Sequence, residues 1–293
     1  MADLAEDQWD LGGLVIGRGQ AVAVDDFDLG DVGARLGDVD VAGGEGVVPG
    51  YDYHGGRTLS LTVFTDQADA ATAQAAWRSL ESLWRQHDLR YTPRTVVPLR
   101  IRVADRDTVR VYGRPRKFSP TGLRGLPDGA VGAIATFDAM HTNYLSDEES
   151  TVTLSLVTTG DGGITWPIAS WPITWAAGGE RQDAAYNAGD MDAWPLITIS
   201  GPITNPQVAL VGTNISIRLV DTIADGQSVT LDPRPWSRSI TRSDGASLAG
   251  KARGSRLEDL RLPPGQTVIH FSGTDLTGTS SCTVRHRHAY STP

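Results

Sequence analysis

Short runs that alternate apolar and polar residues, each closed by a turn, restrict this 293-residue chain more than any other feature. In RTLSLTVF, Leu59, Leu61 and Val63 share one face while Ser60 and Thr62 share the other. LRIRVAD sets Leu99, Ile101 and Val103 against Arg100 and Arg102. NISIRLVD aligns Ile215, Ile217 and Leu219, and SVTLD aligns Val229 and Leu231. A period of two puts successive side chains on opposite faces of a pleated strand, so these runs suit sheets with one buried face. Gly, Asp and Pro close them, as in ADGQ at 224–227, SDG at 243–245 and PPGQ at 263–266. Many short strands with polar turns predict a mainly β chain of sandwiches or barrels.

One stretch has a different period. In DQADAATAQAAWRSLESLWRQHD, the residues Ala73, Ala76, Trp77, Leu80, Leu83, Trp84 and His87 recur every three or four positions. This predicts an amphipathic helix over 69–88, with Asp66 or Asp69 as N-cap and both tryptophans covering a sheet. The chain divides near residue 150, into 1–150 with the helix and 151–293 without one. The second part opens with a tryptophan- and proline-rich segment, 162–195, read as an ordered loop carrying Trp166, Trp171, Trp175 and Trp194. Each Trp-Pro step holds the residue before proline in extended backbone.

Thirty-three glycines and sixteen prolines suit a turn-rich chain, and the single cysteine, Cys282, leaves no disulfide to close within it. A net charge of −9 argues against a general nucleic-acid binder, which presents Lys and Arg to phosphates. The acidic N-terminus lacks the basic start and apolar core of a signal peptide, and no run is long enough to span a bilayer. The expectation is a protein with no membrane insertion and no sequence-specific nucleic-acid partner.

Chemistry-bearing motifs are weak. No G-x-S-x-G, H-E-x-x-H or G-x-x-x-x-G-K occurs. GGLVIGRG at 12–19 precedes a strand-like run instead of a helix, so it reads as a turn between strands and not as a dinucleotide fingerprint. Cys282, His286 and His288 share a face by period two, open to reading as a metal or thiol site or as a surface or inter-subunit strand; the latter is preferred. Asp25, Asp26, Asp28 and Asp31 lack the spacing of a calcium loop and read as solvated turn residues. The four tryptophans of 162–194 are candidates to face a glycan or a partner, or to fill a seam. No catalytic, cofactor-binding or metal residue is assigned.

The order of these features resembles the siphophage distal tail protein family over nearly the whole chain. The likeness rests on the helix among strands, the strand ending in FDAMHTNYL, and the run GGITWPIASWPITW followed by YNAGDMDAWPLITISGPITNPQVAL. The family's turn motif falls here at Asn187, Gly189, Asp190, Pro195, Gly201, Asn205 and Pro206, and IADGQSVTLDPRPWSRSI and LRLPPGQTVIHFSG match its later strands. The resemblance implies a non-enzymatic virion protein made in the host cytoplasm. It implies two β-sandwiches, the N-terminal one closing a hexameric ring and the C-terminal one galectin-like. The ring would sit at the distal end of a long flexible tail and let DNA pass. Its partners would be its own copies, the tail tube, and tip, baseplate or tape-measure-associated proteins. A carbohydrate-binding host-adhesion module is the alternative reading. Pro195, Pro202 and Pro206 cannot donate to a ladder, which fits strand starts, ends and turns that keep open edges from recruiting stray strands.

Overall fold

A computed structural model describes residues 3–67, 69–156, 182–275 and 277–293. The chain forms two compact units, Met1–Asp147 with Tyr290–Pro293, and Glu148–Ala289.

The first unit opens with β1 (Gln8–Leu11), β2 (Leu14–Gly17) and β3 (Ala23–Asp28). GGLVIGRG, read from the sequence as a turn between strands, instead holds the β1–β2 turn, all of β2 and the start of the next turn. Two short pairs follow, β4 (Ala34–Arg35) with β7 (Tyr53–His54) and β5 (Val39–Asp40) with β6 (Val47–Val48). Then come β8 (Arg57–Asp66), α1 (Ala70–Trp84), α2 (His87–Tyr91), β9 (Val97–Arg102), β10 (Val109–Thr121), β11 (Ala130–Ala139) and β12 (Tyr144–Ser146). The main sheet runs β2-β1-β9-β10-β11-β8-β3, with β12 continuing the ladder along β10. β1 and β3 lie toward opposite ends of that order, yet the Trp9 and Phe27 rings stand 5.2 Å apart. The sheet therefore folds over on itself, and Leu61, Ile101 and Phe137 lie buried with Trp9 in the core between its halves. A bulge between Pro115 and Phe118 breaks the β10–β11 register, which bends the strand locally.

Asp69 caps α1, accepting from the Ala71 and Thr72 amides at 3.3 and 3.0 Å. The buried stripe of α1 is Ala73, Trp77, Leu80 and Trp84, matching the sequence period. Trp77 and Trp84 pack on Phe118 at 5.3 and 6.4 Å, and the Trp84 indole donates to the Thr136 carbonyl at 3.0 Å. The helix stops short of residue 88. The Arg85 amide closes the last turn on Glu81, Gln86 swings to ψ 118°, and α2 starts anew. His87 is thereby exposed instead of lying on the apolar stripe.

From Gly33 to His54 every residue is exposed, so β4 to β7 form a thin arm between β3 and β8 with no core of its own. Its strands approach closely enough that a Cβ on Gly50 would stand 1.9 Å from the Gly37 carbonyl oxygen.

The second unit contains β13 (Ser150–Ser155), β14 (Gln182–Asn187), β15 (Leu196–Ser200), β16 (Ile203–Leu210), β17 (Ser216–Leu219) and β18 (Thr222–Ile223). It continues with β19 (Ser228–Asp232), β20 (Ser239–Arg242), β21 (Ala252–Gly254), β22 (Gly265–Thr274) and β23 (Ser281–His286). One sheet runs β13-β23-β15-β19-β20 and the other β14-β22-β16-β17-β21, with β18 on β16. Ile197, Val229, Leu231 and Val284 are buried in the first, and Val208, Leu219, Ile269 and Phe271 in the second, so each sheet has one covered face. The short β24 (Ala289–Tyr290) ends the fold, and Tyr290 packs against the core of the first unit.

Candidate assembly surfaces

Asn187 organises the turn that the sequence marked. It ends β14 at 1% exposure, with both amide hydrogens and both carbonyl lone pairs in use. Its Nδ2 donates to the Met191 and Leu262 carbonyls at 2.8 and 3.0 Å, and its Oδ1 accepts from the Gly189 and Ala289 amides at 3.1 and 3.2 Å. One amide side chain thus ties its own loop to the chain at Leu262 and at Ala289, a geometry that no aliphatic residue reproduces. Gly189 lies so close to the last strand that a Cβ would come within 1.8 Å of the Ala289 carbonyl oxygen. Asp190, beside it, is exposed.

The prolines divide in their roles. Pro195 directly precedes β15, and the Gly201-Pro202 bond, which is cis, forms the turn between β15 and β16. A Cβ on Gly201 would meet the Ala224 carbonyl oxygen at 2.3 Å. Pro206 departs from expectation, because it lies inside β16 and not at a strand end. The strand tolerates it through a bulge: the register on β22 shifts between Thr204 and Gln207, and Asn205 takes a φ of +52°.

Trp194 also departs from the platform reading. It is 8% exposed and meets Trp236 edge-on at 6.0 Å, so it offers no open ring face to a sugar. Trp166, Trp171 and Trp175, and most of the 162–195 segment, lie outside the described residues.

The terminal Cys/His strand is not a surface strand. β23 is central, between β13 and β15, and Cys282 is fully buried, its thiol pushed up to about 12 by burial. His286 Nε2 donates to the Tyr186 carbonyl at 2.9 Å, while His288 Nδ1 accepts from the Ala188 amide at 3.2 Å. Among the described residues no group of three or more His, Cys, Asp or Glu is placed to hold a metal ion. Asp25, Asp26 and Asp28 depart from the turn reading, because they lie in β3, whose register on β8 shifts between Val24 and Asp26. Asp26, Asp28 and Asp31 accept from the local amides of Phe27, Gly30 and Val32.

Two features escaped sequence reading. The first is a charge network where the first unit ends. Arg100 reaches Asp10 Oδ2 at 3.0 Å and Asp147 Oδ2 at 2.6 Å, and Arg110 also pairs with Asp147. Burial alone would raise the Asp147 carboxyl, but the two guanidiniums outweigh it and hold the carboxyl below its usual range. The second is a hydroxyl lattice on the open face of the β13–β20 sheet. Thr153, Thr283, Thr198, Thr230 and Thr241 stand in register across all five strands. Ser155, Ser281, Ser200 and Ser228 form a parallel row two residues along. The FDAMHTNYL stretch is structural too, with the Arg57 guanidinium 4.5 Å over the Tyr144 ring and bonded to its hydroxyl at 2.7 Å.

No protein-family model matches the chain, and no curated protein sequence does. Its fold does match solved structures. SPP1 Dit (gp 19.1), described as a paradigm of hub adsorption apparatus in phages infecting Gram-positive hosts, is similar at a TM-score of 0.58 and 13% identity, over 96% of this chain and 98% of that one. A chain of the phage p2 baseplate in its activated conformation with Sr is similar at 0.53 and 12% identity, over 95% and 97%. Along almost its entire length, this mainly β chain has the fold of phage Dit and baseplate proteins.

Proposed function

We propose that this chain is a structural virion protein of a long flexible phage tail, one subunit of a ring at the distal end. The ring, hexameric by family resemblance, joins the tail tube to tip, baseplate or tape-measure-associated proteins and leaves a passage for DNA. The observation that carries this reading is the end-to-end match with SPP1 Dit, which takes in both units and not a single sandwich. A part of this kind works through surfaces that bind other proteins, in keeping with a turn motif built from buried hydrogen bonds. No helix among the described residues is long and apolar enough to cross a membrane. The net charge of −9 suits a bore that does not hold DNA phosphates, so the channel wall is expected to be net negative.

The test is electron microscopy of intact particles labelled with a gold-tagged antibody to this chain, together with the mass of the purified protein in solution. An annulus at the far end of the tail and a closed oligomer support the reading. Label elsewhere on the particle, or a bore lined with lysine and arginine, contradicts it.

A further inference from the structure

The arm at residues 31–54 is the least accounted-for part of the molecule. Its strands form two-residue ladders that bury nothing, although a lone hairpin is only marginally stable in water. It nevertheless holds out Leu36 (67% exposed), Val39, Val47, Val48, Tyr51 (84%) and Tyr53, an apolar density unusual for a free surface. Between these stand Asp31, Asp38, Asp40, Glu45 and Asp52, against one cation, Arg35. The arm is thus both apolar and strongly acidic.

Its complement lies elsewhere in the same unit. Arg78 on α1, Arg90 on α2, Arg94 in the next loop, Lys117 in the β10 bulge and Arg124 in the 3-10 turn Leu123–Asp128 are all exposed. None of the five forms an ion pair among the described residues, whereas Arg85 and Arg116 beside them pair with Glu81 and Asp138. Those elements adjoin one another, with α1 in contact with both β10 and the 3-10 turn. Trp77 and Trp84 hold α1 on Phe118 of β10, and Arg114 bonds the Thr92 and Thr95 carbonyls at 2.7 and 2.6 Å. Tyr91 and Leu123, both largely exposed, supply apolar area among the cations.

We propose that the acidic, apolar arm of one copy docks on this basic face of a second copy. Two different patches pairing head to tail generate a ring when the rotation closes. The apolar side chains would supply the buried area, and the charges would set partner and register. The inference rests on the ring reading above and names the surfaces that would close it.

Charge exchange in the full-length chain tests it. An arm variant (Asp40→Lys, Glu45→Lys, Asp52→Lys) and a face variant (Arg78→Glu, Arg90→Glu, Lys117→Glu) each juxtapose like charges. Each is expected to weaken self-association about 100-fold at low ionic strength, read by sedimentation velocity, with circular dichroism reporting the fold. Mixed together, the two variants present opposite charges again, and equimolar oligomers should return. If both variants oligomerise like the unmodified chain, the pairing is overturned and the ring reading stands. If they oligomerise normally but lose attachment to a tube or tip protein, the arm's occupant is that protein and the proposal fails. If the unmodified chain stays monomeric even inside the particle, the ring reading falls and takes this inference with it.

Discussion

Replacing Asn187 tests whether the second unit is held by that single side chain. Asn187→Ala removes four hydrogen bonds at 1% exposure and leaves two carbonyls and two amides without their partner. At about 1 kcal/mol for each buried bond, the cost is about 4 kcal/mol, a large share of an ordinary domain's stability. Asn187→Asp keeps the shape and both acceptor bonds but turns the donor end into a second acceptor, facing the Met191 and Leu262 carbonyls. Burial and those carbonyls favour the neutral acid, so its pKa in the folded state is raised. Stability from such a group is present below the unfolded value and lost as pH rises through the folded one. The Asp variant should therefore be closer to the unmodified chain near pH 4 than at pH 7. Hydrogen exchange read by mass spectrometry, over peptides covering 187–193, 260–264 and 287–291 in a urea series, isolates the second unit from the first. Protection within about 0.5 kcal/mol of the unmodified chain for Asn187→Ala would refute the argument.

Trp84→Ala should destabilise the first unit by about 3–5 kcal/mol, seen as a lower thermal midpoint, because it empties the space under α1 and removes the indole bond to the Thr136 carbonyl. Asp147→Asn leaves Arg110 without its carboxylate and should cost about 3 kcal/mol at neutral pH, with Asp10 still pairing Arg100. In the unmodified chain the Asp147 carboxyl lies below its usual range. Its contribution is present above about pH 4 and fades as pH falls through the lowered native value, so acid titration should show a step that Asp147→Asn lacks. Cys282 should resist iodoacetamide at pH 8 in the folded chain and react on adding denaturant, a difference read by mass spectrometry.

The strands were legible because each sheet covers one face only, and Leu59, Leu61 and Val63 report that in their spacing. The helix was legible for the same reason at a period of 3.6. Its end was not, because Gln86 leaves the helix through a backbone turn that no side-chain pattern marks. Pro206 misled because a bulge belongs to two strands: the shift on β22 makes room for a residue that β16 alone would reject. For Trp194 the sequence leaves platform and seam both open until Trp236, far along the chain, is placed against it. The threonine row cannot be seen without register, since its members come from five separate strands. The arm was passed over because Val39, Tyr51 and Tyr53 are ordinary strand residues, and exposure depends on what the rest of the chain leaves uncovered.

Residues Tyr290–Pro293 return to the first unit, where Tyr290 packs on its core and the Pro293 carbonyl accepts from Arg106 at 2.6 Å. Tyr290 is made only after the whole second unit, so its packing against the first unit's core joins two stretches of chain separated by that entire unit.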